Sequence, residues 1–201
     1  MRLFFRDTQV LLRLLRYLPW LFLPLKSKDK NAELILKRRN VGETALQIFL
    51  FVFEVVLLLA FLPALILLPG LAFLAGIGLA FIFIYLIAMP LEGPDIAFSH
   101  MDENTQRQAL EHSHERWVFI NGCTSGCHSL QGDIDCLSSV FKRSVLGIHN
   151  RTYGLVADIL ECLIQRVFDY KTLDVRVAHE QMKIILCDKT TSKVILIGHS
   201  Q

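Results

Sequence analysis

Residues 193 to 201 read Lys-Val-Ile-Leu-Ile-Gly-His-Ser-Gln. The run Val194 to Ile197 is nearly continuous in β-branched and leucine side chains, as expected of a strand covered on both faces. It leads directly into Gly198-His199-Ser200-Gln201, four-fifths of the pattern G-x-S-x-G. That pattern needs small residues two before and two after the serine because the chain turns sharply from strand into helix. The turn lifts the hydroxyl above the sheet edge at a helix N-terminus. A G-x-S tripeptide alone carries little weight; at the end of an apolar strand that closes two βα units it carries much more.

Working upstream, Leu173 to Cys187 is predicted as a helix burying Val175, Ala178, Met182, Ile185 and Leu186. Before it, a helix places Leu155, Ile159, Leu160, Leu163, Ile164, Val167 and Phe168 on one face, with Asp158, Glu161 and Arg166 opposite. Asn150 to Gly154 is a loop, and Ser144 to His149 a second strand. Leu130, Ile134, Leu137, Val140 and Phe141 recur at helical spacing, and Trp117 to Ile120 is a short apolar strand stopped by the turn pair Asn121-Gly122. The order strand, helix, strand, helices, strand with right-handed crossovers predicts an α/β domain over residues 116–201, a parallel sheet with helices on both sides. Residues 92–115 read as a polar connector helix, started by Ser99 and Asp102 in a capping-box-like arrangement.

Two motifs carry a resemblance: Val118-Phe119-Ile120-Asn121-Gly122 and Gly198-His199-Ser200-Gln201. Residues 116–201 resemble the opening portion of an α/β-hydrolase, in particular lipase-like serine esterases, and more closely a group of membrane-anchored fungal proteins of that fold. The first motif is similar to the strand and H-G turn that precede the oxyanion loop, with Asn121 where many members have His. The resemblance implies that Ser200 is the nucleophile and that the backbone amides of Gln201 and of Gly122 or Cys123 face a developing oxyanion. Asn121 is then expected to alter loop anchoring more than chemistry, since the donor there is an amide. The family order puts an acid and then a histidine after the serine. All seven histidines, His100, His112, His114, His128, His149, His179 and His199, precede or adjoin Ser200. The expectation is therefore a partial hydrolase sheet that stops at the nucleophile elbow, as a fragment or a natural truncation inactive by itself, with an exposed apolar edge strand. The implied substrate is an ester, plausibly a lipid or acyl ester; the alternative is a non-catalytic membrane protein or interaction module.

Residues 44–91 contain one charged side chain, Glu54. Residues 45–68 are apolar over enough length to cross a hydrocarbon core. A buried acid costs roughly 3 kcal/mol, whereas each Leu, Ile, Val or Phe returns about 0.3 to 0.6, so insertion wins by several kcal/mol. Glu54 reads as a protonated or paired residue within the span, of functional interest or facing a partner helix. Pro69 and Gly70 break the run and residues 71–89 form a second stretch, which predicts a transmembrane hairpin. Ala60 with Ala64, and Ala72, Gly76 and Ala80, offer small-residue faces for close packing. A hairpin that never fully crosses is the alternative, because the turn has no polar residue to sit in water.

Within residues 1–43, Arg2, Arg6, Arg13 and Arg16 gather on one side of a helix opposite Leu11, Leu12, Leu15, Leu18 and Phe22, the pattern of an interfacial helix. Lys26, Lys28, Lys30, Lys37, Arg38 and Arg39 flank the first span, so the positive-inside rule puts the N-terminus and, after two crossings, residues 92–201 in the cytosol. Five cysteines outside any small secreted scaffold agree with a reducing compartment. A formal net charge of +2 argues against nucleic acid and, with basic residues beside the apolar region, for lipid headgroups. Cys123, Cys127, His128 and Cys136 have a spacing that zinc tolerates only in part, and the expectation is ordinary thiols, with no metal and no cofactor.

Overall fold

The computed structural model describes Arg6, Gln9, Val10, Arg13, Arg16 and residues 38–199. The interfacial helix and the lysines at 26, 28, 30 and 37 fall largely or wholly outside these residues, as do Ser200 and Gln201. In chain order the elements are α1 (Arg38–Leu67), α2 (Gly70–Ala88), a short 3-10 turn (Met89–Leu91), β1 (Ile96–Phe98), α3 (Glu103–Glu111) and β2 (Glu115–Ile120). They continue with α4 (Cys127–Phe141), β3 (Val145–Ile148), α5 (Leu155–Phe168), α6 (Leu173–Cys187) and β4 (Lys193–Gly198).

The class is α/β. Four strands lie in the order β1-β3-β2-β4, with β2 parallel to both β3 and β4. β1 corrects the expectation of a parallel sheet: it pairs antiparallel with β3, Ile96 opposite Ile148 and Phe98 opposite Leu146, so the sheet is mixed. Three residues after a proline are too few to show an alternating pattern, and their pairing partner is fifty positions away. Between 92 and 115 the chain therefore holds a strand as well as a helix. α3 is capped by Asp102, whose carboxylate accepts from the Thr105 amide at 2.9 Å, and it ends at Glu111.

Successive strand residues point to opposite faces. Phe119 and Val145 pack with Leu130 and Ile134 of α4 on one face. Val118 and Ile148 pack with Ile185 of α6 on the other, joined by Val177, Ala178 and Met182. Helices thus cover both sides, and because β3 and β4 flank β2 on opposite edges, the chain reverses direction across the sheet at β2. The rotation of α5 differs from the sequence reading. Asp158 is buried while Leu160, Ile164 and Phe168 are exposed. Likewise Leu186 of α6 and Val140 of α4 face outward.

Val41–Leu67 and Gly70–Leu91 are each long and apolar enough to cross a membrane, and only 11% and 6% of their apolar windows are buried. A core helix of a soluble domain would be mostly buried. The two helices meet through aromatic rings: Phe53 and Phe83 have centroids 4.7 Å apart, Phe61 and Phe73 5.5 Å. The small-residue face expected from Ala72 and Gly76 points outward, with open space beyond Gly76.

Only the first half of α1 touches the domain. Glu43, Gln47, Leu50 and Glu54 recur at intervals of four, three and four, which aligns them on one helical face. Leu50 packs with Ala88 and Leu91, and Tyr153 borders this cluster. Glu43 accepts from the His128 amide and the Ser129 hydroxyl at the start of α4, at 3.3 and 2.8 Å. Glu54 accepts from the Val156 and Ala157 amides at the start of α5, at 2.9 and 3.1 Å. Each of those helices begins after a glycine that supplies no side-chain cap, Gly126 and Gly154. A Cβ on either glycine would collide with the capping carboxylate, and Gly154 also has a φ of +113°. One helix thus provides the caps for two others, satisfying orphan amides and opposing the positive ends of their dipoles.

Candidate functional site

In sheets of this kind ligands bind beyond the carboxyl ends of the strands where the chain order reverses. Here that place is the end of β2 and β4. Ile120 pairs with Gly198, and one step further the His199 amide donates to the Ile120 carbonyl at 3.0 Å. The candidate elbow residues Gly198 and His199 therefore run beside the loop 121–126, and both are exposed. The rings of His199 and Phe119 stack with centroids 6.3 Å apart. Ser200 and Gln201, the expected nucleophile and one expected oxyanion donor, lie outside the described residues.

Asn121 is fully buried at the tip of β2. Its side-chain amide donates to the Ser125 carbonyl at 2.7 Å and to the Asn150 carbonyl at 3.1 Å, and its oxygen accepts from the Asn150 amide. One side chain thus closes the 121–126 loop on itself and ties it to the segment after β3. Gly122 is buried and Cys123 half-buried directly behind it. Thr124 adopts a left-handed φ of 59°, strained for a β-branched residue. The Thr124 amide donates to Asp158 at 2.9 Å. Asp158 also accepts from the Tyr153 amide and, at 2.7 Å, from the Thr152 hydroxyl. Burial holds the Asp158 carboxyl above its ordinary pKa despite these three donors. Gln47 of α1 reaches the same Thr152 hydroxyl at 3.4 Å.

The Cys123 and Cys162 sulfurs are 3.8 Å apart. The hydrogen bond from Cys123 brings the Cys162 thiol down to about 7, while the same bond and burial push Cys123 well up. Cys162 is the exposed member of the pair. His149, at the end of β3, is 1% exposed, with neither ring nitrogen hydrogen-bonded. Burial, and then the charge of Arg151, hold the His149 ring below its ordinary pKa, so it is a neutral core residue.

Among the described residues Cys123, Cys127, His128 and Cys136 do not converge as metal ligands. Three side chains that do come within 4.8 Å of one another are His112, His114 and Glu115, near the opposite end of β2. Glu115 is already bound by Arg143 at 3.1 Å, Lys193 at 3.5 Å and the Trp117 indole at 3.2 Å. Hydrogen bonds from Trp117 and Arg143 hold its carboxyl down at about 2. Two cations on that carboxylate make the trio a poor host for a third.

Of the residues singled out from sequence, the structure brings Asn121, Gly122 and Cys123 next to Gly198 and His199, and it sets Glu54 against α5 rather than among hydrocarbon-facing residues. Sequence reasoning missed Glu43, Gln47, Thr124, Thr152 and Asp158, and it sets Cys162 aside because that residue lies within an amphipathic helix. The spacing of Glu43 and Glu54 on one face of α1, with a glycine before each of α4 and α5, was the available signal for Glu43. Comparison of the chain with protein-family models, with curated proteins and with solved structures found no match.

Proposed function

We propose that this chain is part of a membrane-anchored serine hydrolase that cleaves an ester, with Ser200 as nucleophile. The observation that supports this reading is the register of β4 on β2. It carries Gly198 and His199, which precede Ser200 in the sequence, to the carboxyl end of the sheet, the end at which Asn121 and Asp158 brace the loop that contains Gly122 and Cys123. In the proposed reaction the Ser200 oxygen attacks the ester carbonyl, its proton passes to a general base, and the alcohol leaves with a proton from that group. Water then hydrolyses the acyl-serine. The backbone amides of Gln201 and of Gly122 or Cys123 stabilise the oxyanion, each worth about 3 kcal/mol in the transition state. His149 is buried without a partner and does not suit the part of the base.

A lipid or acyl ester is the substrate class that fits best, because the loop is braced by Asp158 in the same first turn of α5 that Glu54 of the apolar hairpin caps. The basic residues that lead into α1 favour a cytosolic domain at an anionic leaflet. The test is labelling with a serine-directed fluorophosphonate. The 201-residue chain is compared with the product of the same transcript read past codon 201, each beside its Ser200→Ala control. Labelling of the extended product, abolished by Ser200→Ala, supports the assignment; absence of labelling in both sinks the catalytic reading in favour of a scaffolding role.

A further inference from the structure

We infer that the α1–α2 hairpin enters the bilayer from the domain side and turns back within it, without crossing. The inference rests on the membrane anchoring proposed above and specifies its depth. Length decides the matter. Gln47 and Glu54 are buried against the domain, and both Glu54 oxygens are taken by α5 amides, so α1 up to Glu54 runs alongside the domain, with one face buried and Ile48, Phe49 and Val52 exposed on the other. Leu50 sits with Ala88 and Leu91, and Ile84 and Ile87 border them, so the last turn of α2 is docked as well. What projects is residues 55–67 of α1 and 70–83 of α2. At 1.5 Å per residue each arm is about 20 Å long. The hydrocarbon core is about 30 Å thick, so the arms pass its midplane and stop.

The tip agrees. Leu65, Ile66, Leu67, Leu68, Pro69 and Leu71 form it, with no charged or hydroxyl-bearing side chain among them, and Ile66, Leu67 and Leu71 are 80%, 78% and 83% exposed. A crossing hairpin would hold these side chains in water on the far side. Their transfer to hydrocarbon is favourable, whereas the turn carries nothing that water solvates well. Lipid is a better occupant than a protein groove because the exposed leucines and phenylalanines extend over well over half of the α1 circumference, and α2 is likewise exposed at Leu74, Leu79 and Phe81. A groove would select one stripe. The backbone of the turn creates no obstacle: the Leu68 amide bonds the Ala64 carbonyl at 2.9 Å and the Phe73 amide bonds the Pro69 carbonyl at 3.0 Å, leaving few polar groups for the acyl region.

The experiment inserts the full chain into sealed vesicles during cell-free synthesis and treats them with a membrane-impermeant polyethylene-glycol maleimide. Reagent is supplied outside, enclosed in the lumen, or with detergent. The variants Leu68→Cys and Leu71→Cys are each read as one adduct beyond the pattern of the parent chain, whose five cysteines lie within residues 123–187. The expected result is no added adduct from either compartment and full labelling in detergent, for both variants. Labelling from the compartment opposite the domain overturns the inference and leaves the anchor as a crossing hairpin. Labelling from the domain's own compartment overturns the anchoring itself and assigns the apolar surface to a protein partner.

Discussion

The two parts of α1 belong to one continuous helix and meet opposite fates. Up to Glu54 one face of the helix is buried against a folded domain; from Val55 onward the same helix is exposed almost all round. The difference comes from three polar side chains. Glu43, Gln47 and Glu54 lie on one stripe and each meets a complementary group, whereas the second half has only carbon to offer. In a largely apolar helix, therefore, a few acceptors at the right period decide which part docks on the domain and which is left exposed. The acid that reads as a liability within a span is what fastens the helix to the domain.

Removing that acid should have the largest effect. Glu54→Leu keeps the helix apolar but leaves the Val156 and Ala157 amides without acceptors in a buried place. A loss of about 2 to 4 kcal/mol in the stability of the domain is expected, measured as a lower urea midpoint in detergent. If Glu54→Leu were neutral, the two halves would not differ for the reason given. Glu43→Leu sharpens the same comparison at smaller scale: the glutamate is less buried and one of its bonds is long, so about 1 kcal/mol is expected in the same titration. The smallest effect belongs to the second half. Ile66→Ser should leave the urea midpoint within about 0.5 kcal/mol of the parent, because its side chain touches little of the protein. Its consequence should appear only as a lower fraction floating with vesicles.

The elements with the strongest period were legible in the sequence. α5 and α6 occupy the predicted residues, and the strands at β2, β3 and β4 lie within two positions of expectation, because core leucines and valines at regular spacing report burial directly. β1 was not legible, since three residues carry no period and its place depends on β3. The rotation of α5 was misread for a similar reason: Asp158 looks like a solvent-facing acid until Thr124, Thr152 and Tyr153, distant or loop-borne, supply its donors. Of the site, Asn121 and Gly122 could be found by their position after an apolar strand. The partnership of Cys123 with Cys162 joins residues thirty-nine positions apart on different elements, and no local pattern announces it.

The capping carboxylates also impose an order of assembly. Glu43 and Ser129 are 86 positions apart, and Glu54 and Val156 are 102. During synthesis at about 5 to 20 residues per second, α1 therefore leaves the ribosome roughly 5 to 20 s before the helix it caps exists. For that interval Glu43 and Glu54 are without the amides they will cap, and α1 is complete before the domain can hold it. The two caps are consequently among the last contacts to close, and the hairpin is made before the sheet beside it is complete.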